Sequence, residues 1–332
     1  MVPEAATLVM ETGFSMDHLP HLSAVRFQSR IMRVQLSLEQ HVVAEAEAEL
    51  AHGKPVVICD RGTPDCFAYM DAVTTRLVED ELGVSRERLL DRYGAAVHLR
   101  TAALGAESFY TIENNEHRKE KTLDLAREID EKTLQAWNGH AHVHIIDNPP
   151  GGGFEHKMHR VRRAVAHTLG IPEPLEIERK YVLGWSEFPE DFPLPTVSML
   201  ITQTYLKHAT DERVRIVEIG DRRSYTYAQK SATDTPGVRV EKERGLSIEE
   251  YRELLYRADK KRRTIRKIRR TFMWENQYFE LDEFLDELTG LFILEIELTD
   301  LQEVVKIPPC IPVVKDVTSD PSYTNAALAR IL

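Results

Sequence analysis

From Val34 to Leu50 the chain reads VQLSLEQHVVAEAEAEL, with apolar positions returning at the spacing of one helical face, and the pattern stops at His52, Gly53 and Pro55. The run that follows, Pro55-Val-Val-Ile-Cys59, is short, apolar and β-branched and ends at Asp60-Arg61-Gly62, which predicts a buried strand of a parallel sheet. Ala95-Ala-Val-His-Leu99 and Val143-His-Ile-Ile146, the latter running into Asp147-Asn148, predict two more. Helical stretches separate them, the longest from Glu116 to Trp137. Strands alternating with helices make an α/β unit with a parallel, doubly wound sheet.

Beyond Gly170 the period changes. Ile171-Pro-Glu-Pro174 reads as a linker that divides the chain into residues 1–170 and 171–332. Alternating stretches then run from Leu175 to Leu183, Ser198 to Leu206, Glu212 to Ile219, Ser224 to Lys230, Val238 to Glu243, Arg262 to Trp274, Asn276 to Phe284 and Phe292 to Leu298. One helix interrupts them, Ser247 to Ala258, with Ser247 and Glu250 at the spacing of a capping box. The second half is predicted to be a mainly antiparallel β domain closing toward a barrel.

Residues two apart in a strand share a face, so Glu176, Glu178 and Lys180 point one way while Leu175, Ile177 and Tyr181 point the other. Glu295 and Glu297 repeat the design against Phe292, Leu294, Ile296 and Leu298. Between them come Arg213 with Arg215, then Lys230, then Arg239 with Glu241 and Glu243, then Lys267 with Arg269, then Glu280 with Asp282. Any single strand of this kind is an ordinary one with its charged face in water. Their succession reads otherwise, because like charges on neighbouring strands repel while the apolar faces all need covering. In a closed sheet the charges point inward, and buried ions are costly unless paired or bound to counter-ions. A polyphosphate with a divalent cation supplies both. Lys and Arg hold phosphate oxygens by charge-assisted hydrogen bonds, and clustered carboxylates suit Mg²⁺ or Mn²⁺. The chemistry expected of such a site is metal-dependent cleavage of a terminal phosphoanhydride by water.

Composition narrows the picture. Hydrophobic residues at 42% and charged residues at 29% are ordinary for a globular chain of 332 residues, and a net charge of -11 argues against nucleic acid as partner. Cys59, Cys66 and Cys310 form neither a CxxC pair nor an even framework, so reduced thiols and a cytoplasmic location are expected. No apolar run has the length of a membrane span.

The string Glu176-Ile-Glu-Arg-Lys180 resembles the ExExK signature of the CYTH superfamily, the triphosphate tunnel metalloenzymes. Gln203-Thr-Tyr-Leu206, Arg213 with Arg215, Lys230, Arg239 with Glu241 and Glu243, Lys267 with Arg269, Asp282, Glu295-Ile-Glu297 and a closing segment from Asp316 to Ala329 follow in the same order, so the resemblance spans the second half. It implies an eight-stranded antiparallel tunnel. Within it Lys180, Arg213, Arg215, Lys230, Arg239, Lys267 and Arg269 would bind a triphosphate. Glu176, Glu178, Glu241, Glu243, Asp282, Glu295 and Glu297 would hold Mg²⁺ or Mn²⁺, and Glu176, Glu178 and Lys180 carry the catalytic signature. The superfamily includes inorganic, thiamine and RNA triphosphatases and adenylate cyclases, and fold likeness does not choose among them. Asp316 stands where the superfamily commonly has Glu.

In the first half, Val2-Pro-Glu-Ala-Ala-Thr7, Asp60-Arg-Gly-Thr-Pro-Asp65, Arg92-Tyr93, Asn114-Asn115 with Arg118, Ala136-Trp-Asn-Gly-His-Ala-His142 and Ile146-Asp-Asn148 resemble the NadR-like, P-loop-kinase-like ATPase domain. That domain precedes a CYTH domain in the TRPL-translocation-defect proteins. The resemblance makes Asp60, Arg61 and Arg118 the nucleotide-facing residues. No GxxxxGK[ST] occurs in the chain, so the domain is expected to lack its Walker A segment, through an upstream start or lost nucleotide binding.

Other motifs weigh less. His140, His142 and His144 alternate but have no Cys or carboxylate partner at zinc spacing, the basic run from Lys260 to Arg270 sends Lys267 and Arg269 inward if it is a strand, and Gly151-Gly-Gly153 reads as a flexible connector. Besides a triphosphatase, two readings stand. One is a non-catalytic adaptor that binds GTP or ATP and a phosphoinositide headgroup, as the TRPL-translocation-defect relatives are described. The other is cyclisation of ATP in the same tunnel.

Overall fold

The computed structural model describes residues 1–14, 23–49, 55–110, 121–148, 153–171, 175–207, 211–233, 238–299 and 303–331, and at Leu175, Glu176 and Ala232 the backbone alone. They form two units, one of Met1–Gly94, Leu99–His140 and Asp147–Gly151, the other of Ala95–His98, Ala141–Ile146 and Gly152–Leu332. Among the described residues no helix is long and apolar enough to cross a membrane.

The first unit holds helices α1 (Ala5–Glu11), α2 (Ala24–Glu49), α3 (Ala72–Leu82), α4 (Arg86–Leu90) and α5 (Leu123–Ala136). Helix α2 starts at Ala24 rather than Val34 because Phe27 and Ile31 prolong its apolar stripe, and both bury with Val9, Met32, Val78 and Leu89. Helix α5 starts at Leu123, where the Thr122 hydroxyl accepts from Leu125 N at 3.2 Å. The start expected at Glu116 lies outside the described residues. On α2, Glu39 is 4% exposed, and its carboxylate accepts from Gln35 Nε2 at 2.9 Å, Tyr93 Oη at 2.7 Å and Arg92 Nη2 at 2.9 Å.

The strand expected over 55–59 does not form. Cys59 makes an isolated parallel bridge with Val2, for which Val2 N donates to Ile58 O and Asp60 N to Val2 O, each at 2.8 Å. Val56 and Ile58 are 55% and 60% exposed, since β-branched residues make a strand only where a neighbour pairs with them. The doubly wound sheet predicted for the first half is reduced, among the described residues, to the two strands β1 (Ala96–Leu99) and β2 (Val143–Ile146).

In the second unit α6 (Gly153–Thr168) precedes the large sheet, and Gly153, expected in a connector, is its first residue. The strands are β3 (Leu175–Leu183), β4 (Val197–Tyr205), β5 (Asp211–Ile219), β6 (Arg222–Ala232), β7 (Val238–Gly245), β8 (Ile265–Trp274), β9 (Gln277–Phe284), β10 (Phe292–Leu298) and β11 (Val313–Asp316), with α7 (Ile248–Leu255) between β7 and β8. Among the described residues the eight strands β3 to β10 close into an antiparallel barrel in the order β10-β9-β8-β4-β5-β6-β7-β3, with β3 pairing back to β10. Strand β8 begins at Ile265 rather than Arg262 because Arg262 N turns back to Asp259 O at 3.0 Å and Arg263 N serves Ala329 O at 2.7 Å. Strand β11, which alternation did not predict, lines the edge of β3 with all of its residues exposed, so it carries no pattern to read.

The barrel's apolar faces lie outside and are covered. Ile177, Phe272, Phe279, Leu281, Leu294 and Ile296 form one core beneath Trp185, Phe188 and Phe192. Tyr251 of α7 covers Val214 and Tyr225. At one end the inward positions themselves turn apolar: Tyr205, Ile265, Phe284 and Ile293 pack with Ala329, which follows α8 (Asn325–Leu328). The charged part of the interior starts above that plug.

Candidate functional site

Contacts that skip a strand mark the concave side of a sheet, where side chains converge. Arg269 of β8 reaches Glu295 of β10 at 3.0 Å past β9, and Arg213 of β5 reaches Glu241 of β7 at 2.5 Å past β6. Arg213, Glu241, Arg269 and Glu295 therefore face the hollow of the barrel.

One group gathers where β3, β8, β9 and β10 meet. Lys180 Nζ lies 2.6 Å from Glu295 Oε1 and 3.2 Å from Glu178 Oε2. Arg269 grips Asp282 through Nε and Nη2, each at 2.7 Å, donates from Nη1 to Glu280, and reaches Glu295 through Nη2. Lys267 Nζ donates to Asp282 Oδ2. Glu178, Lys180, Lys267, Asp282 and Glu295 are all buried. A second group faces it from β4 to β7. Lys230 Nζ is 3.2 Å from the Glu241 carboxylate that also holds Arg213. Arg215 donates from Nε to Gln203 Oε1 at 2.8 Å and pairs with Glu243 at 3.5 Å.

Burial and pairing compete at each of these groups. Burial drives the Lys267 ammonium down to about 8 despite Asp282 beside it. At Asp282 burial works to raise the carboxyl, but Arg269 and Lys267 outweigh it and hold it low. The same contest at Glu295, against Lys180, Lys267 and Arg269, leaves its carboxyl well below the usual range. At Glu280 burial wins over Arg269 and the carboxyl is raised. The neighbouring cations thus favour the anionic forms of Asp282 and Glu295, while burial disfavours that of Glu280.

The remaining predicted residues are more dispersed. Arg239 stands in register with Glu176, half-buried, and only the backbone of Glu176 is described. Glu297, in register with Glu178, is more exposed than Glu295 and lies 3.4 Å from His167 Nε2 and 4.0 Å from His142 Nδ1. Asp316, on β11, accepts from Thr318 N at 2.9 Å. In the other unit Asp60 and Arg61 are exposed, and Arg61, in the left-handed region at φ 74°, lies 3.8 Å from Glu4. Arg118 lies outside the described residues. The three alternating histidines diverge: His140 Nε2 sits 2.9 Å from Tyr93 O, and His144 Nε2 sits 3.2 Å from Thr168 Oγ1.

Two contributors were not singled out as site residues. Glu280 shares the parity of Asp282, so alternation exposes it. Gln203 is neutral, so no charge pattern reveals it, and the one signal for it is its place in the Gln203-Thr-Tyr-Leu206 string of the resemblance.

Among the described residues no group of three or more His, Cys, Asp or Glu side chains is arranged to hold a metal ion, and the Glu176 side chain is not among those described. The donor chemistry nevertheless fits one. Glu178 and Glu295 already converge on a single cation, the Lys180 ammonium, and hard carboxylate oxygens of that kind suit Mg²⁺ or Mn²⁺.

Residues 1–156 match the family model of an AAA domain. The chain is 33% identical over 156 residues to the inorganic triphosphatase of Acetivibrio thermocellus, a match spanning 47% of this chain and 93% of that protein. Crystal structures of the inorganic triphosphatase NE1496 and of the hypothetical protein NE1496 are similar at 27% and 28% identity, over 47% and 46% of this chain and 95% and 97% of theirs, with TM-scores of 0.32 and 0.33. With nearly the whole Acetivibrio protein matched at that identity, this chain belongs to the same family as that inorganic triphosphatase.

Proposed function

We infer that the barrel, within residues 171–332, hydrolyses the terminal phosphoanhydride of an inorganic or organic triphosphate in the manner of a CYTH tunnel enzyme. The observation that carries this reading is the Lys180 ammonium held between Glu178 and Glu295 inside a closed, otherwise ion-paired barrel. Such an interior is stable only while each charge has a partner, and a triphosphate with divalent cations exchanges one set of partners for another.

In this reading Lys180, Arg213, Arg215, Lys230, Arg239, Lys267 and Arg269 hold the phosphate oxygens, and the buried guanidiniums orient the chain of phosphates along the hollow. Glu176, Glu178, Glu241, Glu243, Asp282, Glu295 and Glu297 are the carboxylates available to Mg²⁺ or Mn²⁺. A divalent cation there supplies charge neutralisation at the phosphate oxygens and makes water more acidic. Glu176, Glu178 and Lys180 sit at the reacting end. Water's oxygen bonds to the terminal phosphorus, the bridging P–O bond breaks, and orthophosphate leaves beside a diphosphate. For residues 1–170 the AAA match over 1–156 supports a nucleotide-binding origin, and the NadR-like resemblance makes Asp60, Arg61 and Arg118 the candidates for nucleotide contact.

Phosphate release from tripolyphosphate, ATP and thiamine triphosphate, each with Mg²⁺ or Mn²⁺, tests the proposal. Metal-dependent turnover of at least one is expected, and its absence on all three in folded protein removes the idea. Metal-independent binding of a nucleotide or phosphoinositide that survives Glu295→Gln would favour the adaptor reading instead.

A further inference from the structure

Gln203 is fully buried on β4 and stands in register with Arg215 of β5. Its Oε1 accepts from Arg215 Nε at 2.8 Å, and its Nε2 donates to Tyr205 Oη at 2.7 Å. The guanidinium is a donor only, so the amide oxygen must face it, and the amide N–H is left to the tyrosine. Tyr205 is 1% exposed, with the Arg262 guanidinium 4.9 Å above its ring, and cannot swing away. A rigid neutral pair therefore holds the stem side of Arg215.

Arg269 and Arg213 are held differently. Arg269 is surrounded by Asp282, Glu280 and Glu295, and Arg213 is 2.5 Å from Glu241. An incoming anion has to compete with those carboxylates. Arg215 has a neutral amide as its close partner, and its ion pair to Glu243 is 3.5 Å long. With Nε occupied by the amide, the terminal nitrogens are what remains for an incoming anion, and among the described residues Nη1 has only the 3.5 Å contact with Glu243 to give up.

We propose, building on the triphosphate reading above, that Gln203 is a positioning residue. It presents Arg215 to the hollow with no described carboxylate closer than the 3.5 Å pair to Glu243, so that Arg215 makes the contact that sets affinity for the incoming phosphate chain. Neutrality of residue 203 is the essential property: a carboxylate there would pair with Arg215 and compete with substrate.

Gln203→Glu tests this, since it changes one heavy atom and keeps the contact to Tyr205 Oη, which accepts from Gln203 Nε2 and can donate to a carboxylate oxygen instead. KM for tripolyphosphate is expected to rise about tenfold, the size of one compromised charge-assisted contact, while kcat stays within about twofold. In an Arg215→Met background the same change should leave KM where Arg215→Met alone puts it. Gln203→Met, similar in size but without hydrogen bonds, should raise KM by less, and it carries the test if Gln203→Glu fails to fold. Unchanged KM in the folded variants, a loss confined to kcat, or an undiminished effect of Gln203→Glu without Arg215 overturns the proposal. Wild-type protein that neither binds nor turns over tripolyphosphate sinks the triphosphate reading itself, an outcome visible before any variant is made.

Discussion

Lys180 of β3 and Glu295 of β10 meet at 2.6 Å across the strand pairing that closes the barrel. The two residues lie directly opposite in register, so the ion pair is built into the seam rather than reached by long side chains. Each is under a tenth exposed.

Lys180→Met should expose how much the seam depends on that ammonium. Arg269 still attends Glu295, but Glu178 loses its partner in a buried site. The loss should be on the order of 3 kcal/mol in urea unfolding, with triphosphate turnover abolished. Retention of both stability and turnover would contradict the role given to Lys180.

Metal removal offers an independent check. Chelation with EDTA should stop phosphate release, and Mn²⁺ should restore it. Glu295→Gln should raise the metal concentration needed for half-maximal rate by about tenfold or more, since losing even a group that only supports a ligand costs about that much. Activity indifferent to chelator would count against carboxylates as metal ligands here.

The depressed Lys267 ammonium gives a pH signature in stability. Its folded value of about 8 lies below its ordinary value of 10.5, so below 8 the folded state carries the full cost of a buried charge. That cost is relieved as pH rises from 8 toward 10.5, where the unfolded chain binds the extra proton. Compared with Lys267→Met, the wild type should gain stability across this window, by on the order of 3 kcal/mol. Urea midpoints of the two proteins at pH 7.5 and 10 would show it, and parallel curves would refute it.

In the helical unit Gly62 is pinned by close approach. A Cβ there would lie 2.9 Å from Tyr93 Cζ and 3.0 Å from the Trp137 ring, whose Nε1 donates to Asp65 Oδ1 at 2.7 Å. Gly62→Ala should therefore destabilise by about 1–3 kcal/mol, read as a lower unfolding midpoint with a change in Trp fluorescence. An unchanged midpoint would mean that the Tyr93–Trp137 packing yields freely.

The barrel was largely legible in the chain because its strands obey a period of two with charge on one side. Glu178, Lys180, Lys267, Arg269, Asp282 and Glu295 were placed on one face by parity, and closure of the sheet brings them together. The segment over 55–59 misled for the opposite reason. Its apolar, β-branched composition states only a capacity to pair, and the neighbour it meets is a single residue, Val2.

What alternation determined by itself was which residues share a face and that the faces differ in kind, since that follows from the geometry of an extended backbone. Which charge neutralises which was decided only by the closed sheet, because register and curvature bring residues of non-adjacent strands within hydrogen-bond reach. Thus Arg269 finds Glu295 past β9, Glu297 lies beside His167, and the neutral Gln203 comes to hold Arg215. A one-dimensional pattern carries parity, and distances between strands far apart in the chain exist only once the barrel has closed.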